Sequence, residues 1–259
     1  MLFEDRENYV FAMTAAPDGH RCWKEMLMSG QLDPDIASAC GELLGTLHAG
    51  TWEDEALAKQ FGDRQFFRDL RVDPYYRRVA EVHPDLKPAI EELIASLESN
   101  ATCLVHGDFS PKNLLVTARQ GESPPTIALI DFEVGHFGDA AFDLGFFLSH
   151  LVLKGVYHQR LSNGPATAPL SEAFWQSYSA SIHSKISSNA FDLLQQRAVA
   201  NLAGCLLARV DGKSPVDYLR DESQRRSVRR MGRELVGGSV DSLPEAIQVC
   251  GNETSESLE

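Results

Sequence analysis

Between Cys103 and Asp131 the chain offers three short apolar runs, Cys103-Leu104-Val105, Leu114-Leu115-Val116 and Ile127-Ala128-Leu129-Ile130, separated by turns bearing glycine and proline. Runs of this length read as short strands with loops at their ends. On either side the pattern is helical. Asp33-Pro34 opens a helix with a capping carboxylate and a proline at the first turn, and Ile36, Cys40, Leu43, Leu44 and Leu47 recur at helical spacing up to His48, with a stop near Gly50. Further helices are predicted over 64–70, 74–82, 84–97, 140–153, 172–185, 191–210 and 220–235. The fold class is therefore α+β and mostly helical, with a small β region set inside a helical body.

The ends of the chain read differently. Leu2-Phe3-Glu4 and Tyr9 to Met13 look like two strands around a polar turn, and Thr14 to Gly19, with Pro17 and Gly19, breaks regular structure. The predicted organisation is a hairpin and connector at 1–18, a helical body at 19–236 holding the β segments at 102–133, and a tail at 237–259. The tail has five acidic residues and no basic one, which predicts a mobile acidic segment.

Composition excludes several function classes. A net charge of −13 disfavours tracking along nucleic-acid phosphates, and the basic run from Arg220 to Arg233 is interrupted by Asp221 and Glu222, as on a solvated helix face. The five cysteines are scattered and form no Cys-x-x-Cys pair, against a disulfide framework or a zinc site. No apolar run approaches the roughly 18 to 20 residues needed to cross a bilayer, and the first residues lack a signal-peptide pattern, so a cytoplasmic protein with no membrane partner is expected.

Chemistry concentrates in His106-Gly107-Asp108-Phe109-Ser110-Pro111-Lys112-Asn113, a tight loop held between two strands. Phosphoryl transfer to a hydroxyl needs a carboxylate to orient that hydroxyl and receive its proton, and Asp108 is so placed; an amide oxygen five residues on, at Asn113, can hold the metal that neutralises the phosphates. Asp131, in Leu129-Ile130-Asp131-Phe132-Glu133, stands at a strand tip where a carboxylate suits magnesium. Each also has a plainer reading. Asp108 could shape a turn after Gly107, Asn113 could cap the following strand, and Asp131 could simply end one. Lys112 serves equally well as a phosphate contact or as a solvated lysine, while His48 and His83 read as ordinary helix and turn residues.

The loop, the Ile130-Asp131-Phe132-Glu133 strand end and the following Gly138-Asp139-x-x-x-Asp143-Leu144, in that order and closely spaced, resemble the aminoglycoside phosphotransferase and choline kinase family. Weaker likeness extends to Tyr9–Met13, to Leu43-Leu44-Gly45-Thr46-Leu47-His48 and to Ala208–Pro215, roughly Tyr9 to Leu219 in all. The resemblance implies the C-terminal lobe of a protein-kinase-like fold with a remnant two-strand hairpin of the N-terminal lobe. It implies Asp108 as catalytic base, Asn113 and Asp131 as magnesium ligands, Glu133 as a further carboxylate near the metal, and His106 and Asp143 as supports of the loop. The adenine of ATP would lie along the backbone of Met13, Thr14 and Ala15, with Lys112 near its phosphates.

Relatives of this kind cover the phosphates with a strand–turn–strand and bind them with a lysine on the third strand. Here the first lysine is Lys24 and no glycine-rich loop precedes it. The expectation is a chain shortened at its N-terminal side, weak or inactive as a kinase, with an apolar face left for a protein partner or self-association. A non-catalytic binding protein of pseudokinase type is the competing reading. Gly212-Lys213-Ser214 fails as a P-loop because the required upstream glycine is Leu207, and dinucleotide and zinc-protease motifs are missing. Aminoglycoside, choline-like and thioribose-like hydroxyls stay equally open as acceptors.

Overall fold

The computed structural model describes residues 2–16, 18–117, 124–159 and 167–256. Strands β1 (Phe3–Asp5) and β2 (Val10–Ala12) form an antiparallel hairpin with Phe3 opposite Ala12. Its turn is built by Asp5, whose Oδ1 accepts from the backbone N–H groups of Glu7 and Asn8. The hairpin leaves Phe3, Tyr9, Val10 and Phe11 exposed. Strand β3 (Arg21–Cys22) leads into α1 (Trp23–Met28), whose Trp23 and Leu27 are buried. Helix α2 (Pro34–Gly50) starts as its sequence predicts, with the Asp33 carboxylate accepting from Asp35 N–H and Pro34 in the first turn.

After α3 (Glu55–Gln60), the two helices predicted over 64–70 and 74–82 are one continuous rod. Helix α4 (Gln65–Phe67) runs through a π-helical stretch (Arg68–Arg77) into α5 (Arg78–Val82). Pro74 lies inside that stretch. A proline in a regular helix loses a hydrogen bond and its ring meets the carbonyl four residues back, whereas the wider π turn gives that ring room, so the chain stays helical where a break was expected. Helix α6 (Lys87–Ser99) follows.

The β region then appears where the three short apolar runs put it, as β4 (Cys103–Val105), a 3₁₀ turn (Pro111–Asn113), β5 (Leu114–Thr117) and β6 (Thr126–Leu129), and a further strand that those runs did not indicate, β7 (His136–Gly138), follows. Strands β3, β5 and β6 make one antiparallel sheet, and β4 pairs antiparallel with β7. The remaining helices are α7 (Ala140–Gln159), α8 (Ala168–Ile182), α9 (Ser188–Asp211), α10 (Glu222–Val236) and α11 (Leu243–Glu256).

Helix α7 is the axis of the core. It is long and apolar enough to cross a membrane by length and composition, unlike anything expected from the sequence, but 89% of that window is buried inside the protein. Phe142, Phe146 and Phe147 pack there against rings from several elements. Helices α2 and α8 cross closely because Gly41 and Gly45 face the Phe174 and Tyr178 backbone, where a side chain at either glycine would overlap a carbonyl.

The acidic tail expected at 237–259 is corrected by α11. Leu243, Ala246, Ile247 and Cys250 are all buried and recur at helical spacing, so one face docks on the body while Glu245 points out. Net acidity described the outer face and concealed this apolar stripe. Residues 257–259 of that segment lie outside the described residues. Ile247→Ala should therefore cost about 2 to 5 kcal/mol of stability, as other buried Ile truncations do. A denaturant midpoint unchanged by this substitution would show that the segment is not docked.

Candidate active site

The loop after β4 is gripped from beneath by a carboxylate on the first turn of α7. Asp143 is fully buried, and its two oxygens accept from consecutive backbone N–H groups, His106 N–H at 2.6 Å and Gly107 N–H at 2.9 Å. Gly107 makes this close approach possible. It has φ +73, and a Cβ there would lie 2.7 Å from the Val134 carbonyl oxygen. The His106 ring ties the loop to the strand end opposite: its Nδ1 accepts from Asp108 N–H at 3.2 Å, so Nε2 carries the proton and donates to the Ile130 carbonyl at 3.1 Å.

Asp108 thereby sits at the loop tip, only 4% exposed. Its Oδ1 is held by Arg71 at 2.9 Å, and its Oδ2 by Lys112 Nζ at 2.8 Å and by Asn113 Nδ2 at 2.9 Å. Asn113 Nδ2 also donates to the Asp108 carbonyl, which turns the amide oxygen away from that carboxylate. Register places the third oxygen group nearby. Leu114 pairs with Leu129, and Ile130 N–H donates to the Asn113 carbonyl at 3.1 Å, so Asp131 emerges beside Asn113. Asp131 holds the left-handed φ of +71, an uncommon conformation that asparagine and aspartate tolerate best. Its Oδ2 lies 3.9 Å from the Lys112 ammonium, so one cation faces both carboxylates.

Asp108, Asn113, Asp131, Lys112, His106 and Asp143 are thus gathered in one place. Glu133 is exposed two residues past Asp131, beyond a Phe132 ring that packs at a tilt against His106. Met13, Thr14 and Ala15 form an exposed stretch without regular structure after β2 and do not line the cavity at Asp108. Among the described residues no group of three His, Cys, Asp or Glu gathers. The oxygen set is nonetheless suited to magnesium, which keeps waters and phosphate oxygens and takes one or two protein ligands.

Several residues that matter carried no local signal. Arg71, on the π-helical stretch, donates to the Gly107 carbonyl as well as to Asp108. His48, expected as an ordinary helix residue, is fully buried between Asp143 and the Tyr178 hydroxyl, 3.4 Å and 3.0 Å away. Burial alone would push the Asp143 carboxyl up, but the hydrogen bond and charge of His48, with His106 beside it, hold it below its ordinary value. Asp139 caps α7 through Ala141 N–H and is clamped by Arg197, yet burial still leaves its carboxyl raised. His83, read as a turn residue, binds Asp211, which Arg229 also holds.

A cavity of about 700 Å³ opens beside Asp108, lined by α1, the π-helical stretch, α7, α9 and the segment after it. On its wall Lys154 is 1% exposed and donates to the His150 carbonyl. Burial, reinforced by the like charges of Lys24 and Arg209, pushes its ammonium down to about 7.

Comparison with known proteins bears on the family of the chain. A model of the phosphotransferase enzyme family matches residues 4–181. The methylthioribose kinase of Pectobacterium carotovorum subsp. carotovorum (strain PC1) is 28% identical over 179 residues, covering 60% of this chain and 43% of that protein. That of Yersinia pseudotuberculosis serotype O:1b (strain IP 31758) is 26% identical over 179 residues, with 60% and 42% covered. The matched region thus spans less than half the length of these relatives.

Two expectations follow for stability. Asp143→Ala leaves two buried N–H groups and His48 without their acceptor and should cost about 3 kcal/mol or more. The wild-type contribution of Asp143 is present above the ordinary value of 3.8 and lost as pH falls below it, so the gap between variant and wild type should close in acid when unfolding is followed against pH. Lys154→Met should have the opposite sign and raise stability by about 1 to 4 kcal/mol near neutral pH, since it removes a buried unpaired charge. Between about 7 and 10.5 the unfolded chain keeps a proton that native Lys154 has lost, so wild-type stability should rise with pH there and the advantage of the variant should shrink. A lower melting temperature for Lys154→Met at about pH 6.5, below the native value of about 7, would show that the ammonium is stabilised by a contact not accounted for.

Proposed function

We propose that this chain, which belongs to the phosphotransferase enzyme family, transfers the γ-phosphate of ATP to a hydroxyl of a small molecule, with Asp108 as the base. The observation that carries this reading is the sharing of one ammonium, that of Lys112, by the carboxylates of Asp108 and Asp131, at the mouth of a cavity large enough for a sugar-sized acceptor. The lobe assignment belongs to the same proposal: the helical body is the catalytic lobe of a protein-kinase-like fold.

The acceptor hydroxyl enters from the cavity and hydrogen-bonds to the Asp108 carboxylate. Arg71 on Oδ1 and Lys112 with Asn113 on Oδ2 fix the plane of that carboxylate, so it needs no reorientation to receive the proton. As the hydroxyl oxygen bonds to the γ-phosphorus, the bond to ADP breaks and the hydroxyl proton passes to Asp108. Magnesium, when bound, would be held by the Asn113 amide oxygen and the Asp131 carboxylate and would neutralise charge on the phosphate oxygens. Lys112, mostly exposed, can swing from the carboxylates to a phosphate oxygen. Asp143 and His106 act only through the loop they position. Thioribose-like alcohols enter as candidate acceptors through the named activity of the relatives.

Asp108→Asn keeps the shape and the Arg71 contact but cannot take the proton. It should lower phosphoryl transfer about 10² to 10⁴-fold, read as labelled phosphate appearing on acceptor, with circular dichroism unchanged. Transfer at the wild-type rate would remove Asp108 as base. Wild-type protein that binds magnesium–ATP but transfers nothing to any alcohol would favour the non-catalytic reading.

A further inference from the structure

We infer that the acceptor held beside Asp108 is an alcohol bearing an anionic group, a carboxylate or a phosphate, which sits on Lys154 and Arg209. The inference rests on the phosphotransferase reading of the Asp108 site and adds the chemical class of its acceptor.

The cavity wall is basic in a chain whose net charge is −13. Of its five cationic side chains, Arg71 and Lys112 are already committed to Asp108. Lys24, Lys154 and Arg209 remain, and among the described residues no carboxylate lies within ion-pair distance of any of them. The other acids on the wall are Asp69, exposed and bonded to Gln65, and Asp217, which is also exposed.

Elsewhere this protein pairs its buried charges. Asp139 holds Arg197, Asp143 holds His48, and Asp211 holds Arg229 and His83. Among the described residues Lys154 is the exception, buried with a single carbonyl partner for an ammonium that has three N–H donors. The face of the Tyr218 ring lies 5.7 Å from its ammonium, and the like charges of Lys24 and Arg209 act on it. Arg209 spends one terminal nitrogen on the Tyr75 hydroxyl and the Ser214 carbonyl, while its Nε and the Tyr218 hydroxyl are buried without a protein partner. What the cavity presents is an excess of donors and positive charge, which only an acceptor-rich anion satisfies. A polycationic or quaternary-ammonium alcohol would meet repulsion there, and a neutral sugar would leave Lys154 unpaired.

The wall also predicts a pH signature. The groups facing Lys154 are Lys24 and Cys22 from the α1 side, Arg209 from α9, His150 on its own helix and Tyr218 with Asp217 from the segment after α9. An anion would raise the proton affinity of Lys154, so binding should take up a proton and be tightest below about pH 7.

Titration calorimetry on the full chain with D-glycerate and ribose 5-phosphate, against glycerol and ribose as uncharged counterparts, tests this. The anionic alcohols should bind at least about tenfold tighter than their neutral partners, with proton uptake visible as a buffer-dependent heat and an affinity about tenfold lower at about pH 8 than at about pH 6. Lys154→Met, which is expected to fold at least as well as wild type, should abolish both the preference and the proton uptake, and Lys154→Arg should restore the preference without the pH dependence. Equal binding of ribose and ribose 5-phosphate, or anion binding untouched in Lys154→Met, overturns the inference.

A second arm separates the acceptor from the nucleotide's own phosphates. Saturating non-hydrolysable magnesium–ATP analogue should leave ribose 5-phosphate binding intact, and competition between the two would assign the cations to the nucleotide and overturn the inference. Failure of the underlying reading looks different. Anions that bind as described but are never phosphorylated would sink the kinase function alone, whereas efficient phosphorylation of neutral ribose in preference to the anions would sink only the acceptor class.

Discussion

The grip of one buried carboxylate on two consecutive backbone N–H groups organises the molecule. Asp143 has no access to solvent, so its charge is tolerated only because His106 N–H, Gly107 N–H and the His48 ring all meet it. In return it dictates where the loop after β4 turns. Once His106 and Gly107 are seated, the His106 ring must face the Ile130 carbonyl, and Asp108 must point to the cavity with Arg71 and Lys112 around it. Helix α7, which carries Asp143, is packed on almost every face, so the grip is as rigid as the core itself.

Rigidity on that side contrasts with electrostatic tension on the other. The same helix that anchors the loop through its first turn carries Lys154 about three turns later, buried and, among the described residues, without a carboxylate partner. A protein selected for stability alone would pair or replace such a lysine, and sites that retain unfavourable charge are where binding energy from a ligand is available. The proposed base and the cationic wall are thus tied to two ends of a single core element, which sets the span between a reacting hydroxyl and a distant anionic group.

Much of the loop after β4 was legible because its information is local. His106 to Asn113 form one unbroken segment between two strand-forming runs, and Asp131 follows the next run, so spacing alone brought the key side chains to strand ends. The helices read from periodicity also appear, with shifts of a few residues at their ends. Other features were hidden for physical reasons. Pro74 suggested a break, but a π-helical turn accommodates a proline that an α-turn would not. The acidic charge of the last segment masked the apolar stripe of α11, because composition averages over faces that a helix separates. His48 and Arg71 precede the loop by several elements and Arg209 follows it by several, so nothing in the residues flanking His106 points to any of them.

What the residues determined by themselves is the set of short-range patterns: which segments are helix or strand, the order of acid and amide along a tight loop, and the second acid at the end of a later strand. Tertiary structure alone decided which distant side chains surround that order. A histidine on α2, an arginine in a π-helical stretch and a lysine deep on α7 acquire their roles from packing, since the field at a buried charge is set by whatever the fold places within a few ångströms, irrespective of separation along the chain.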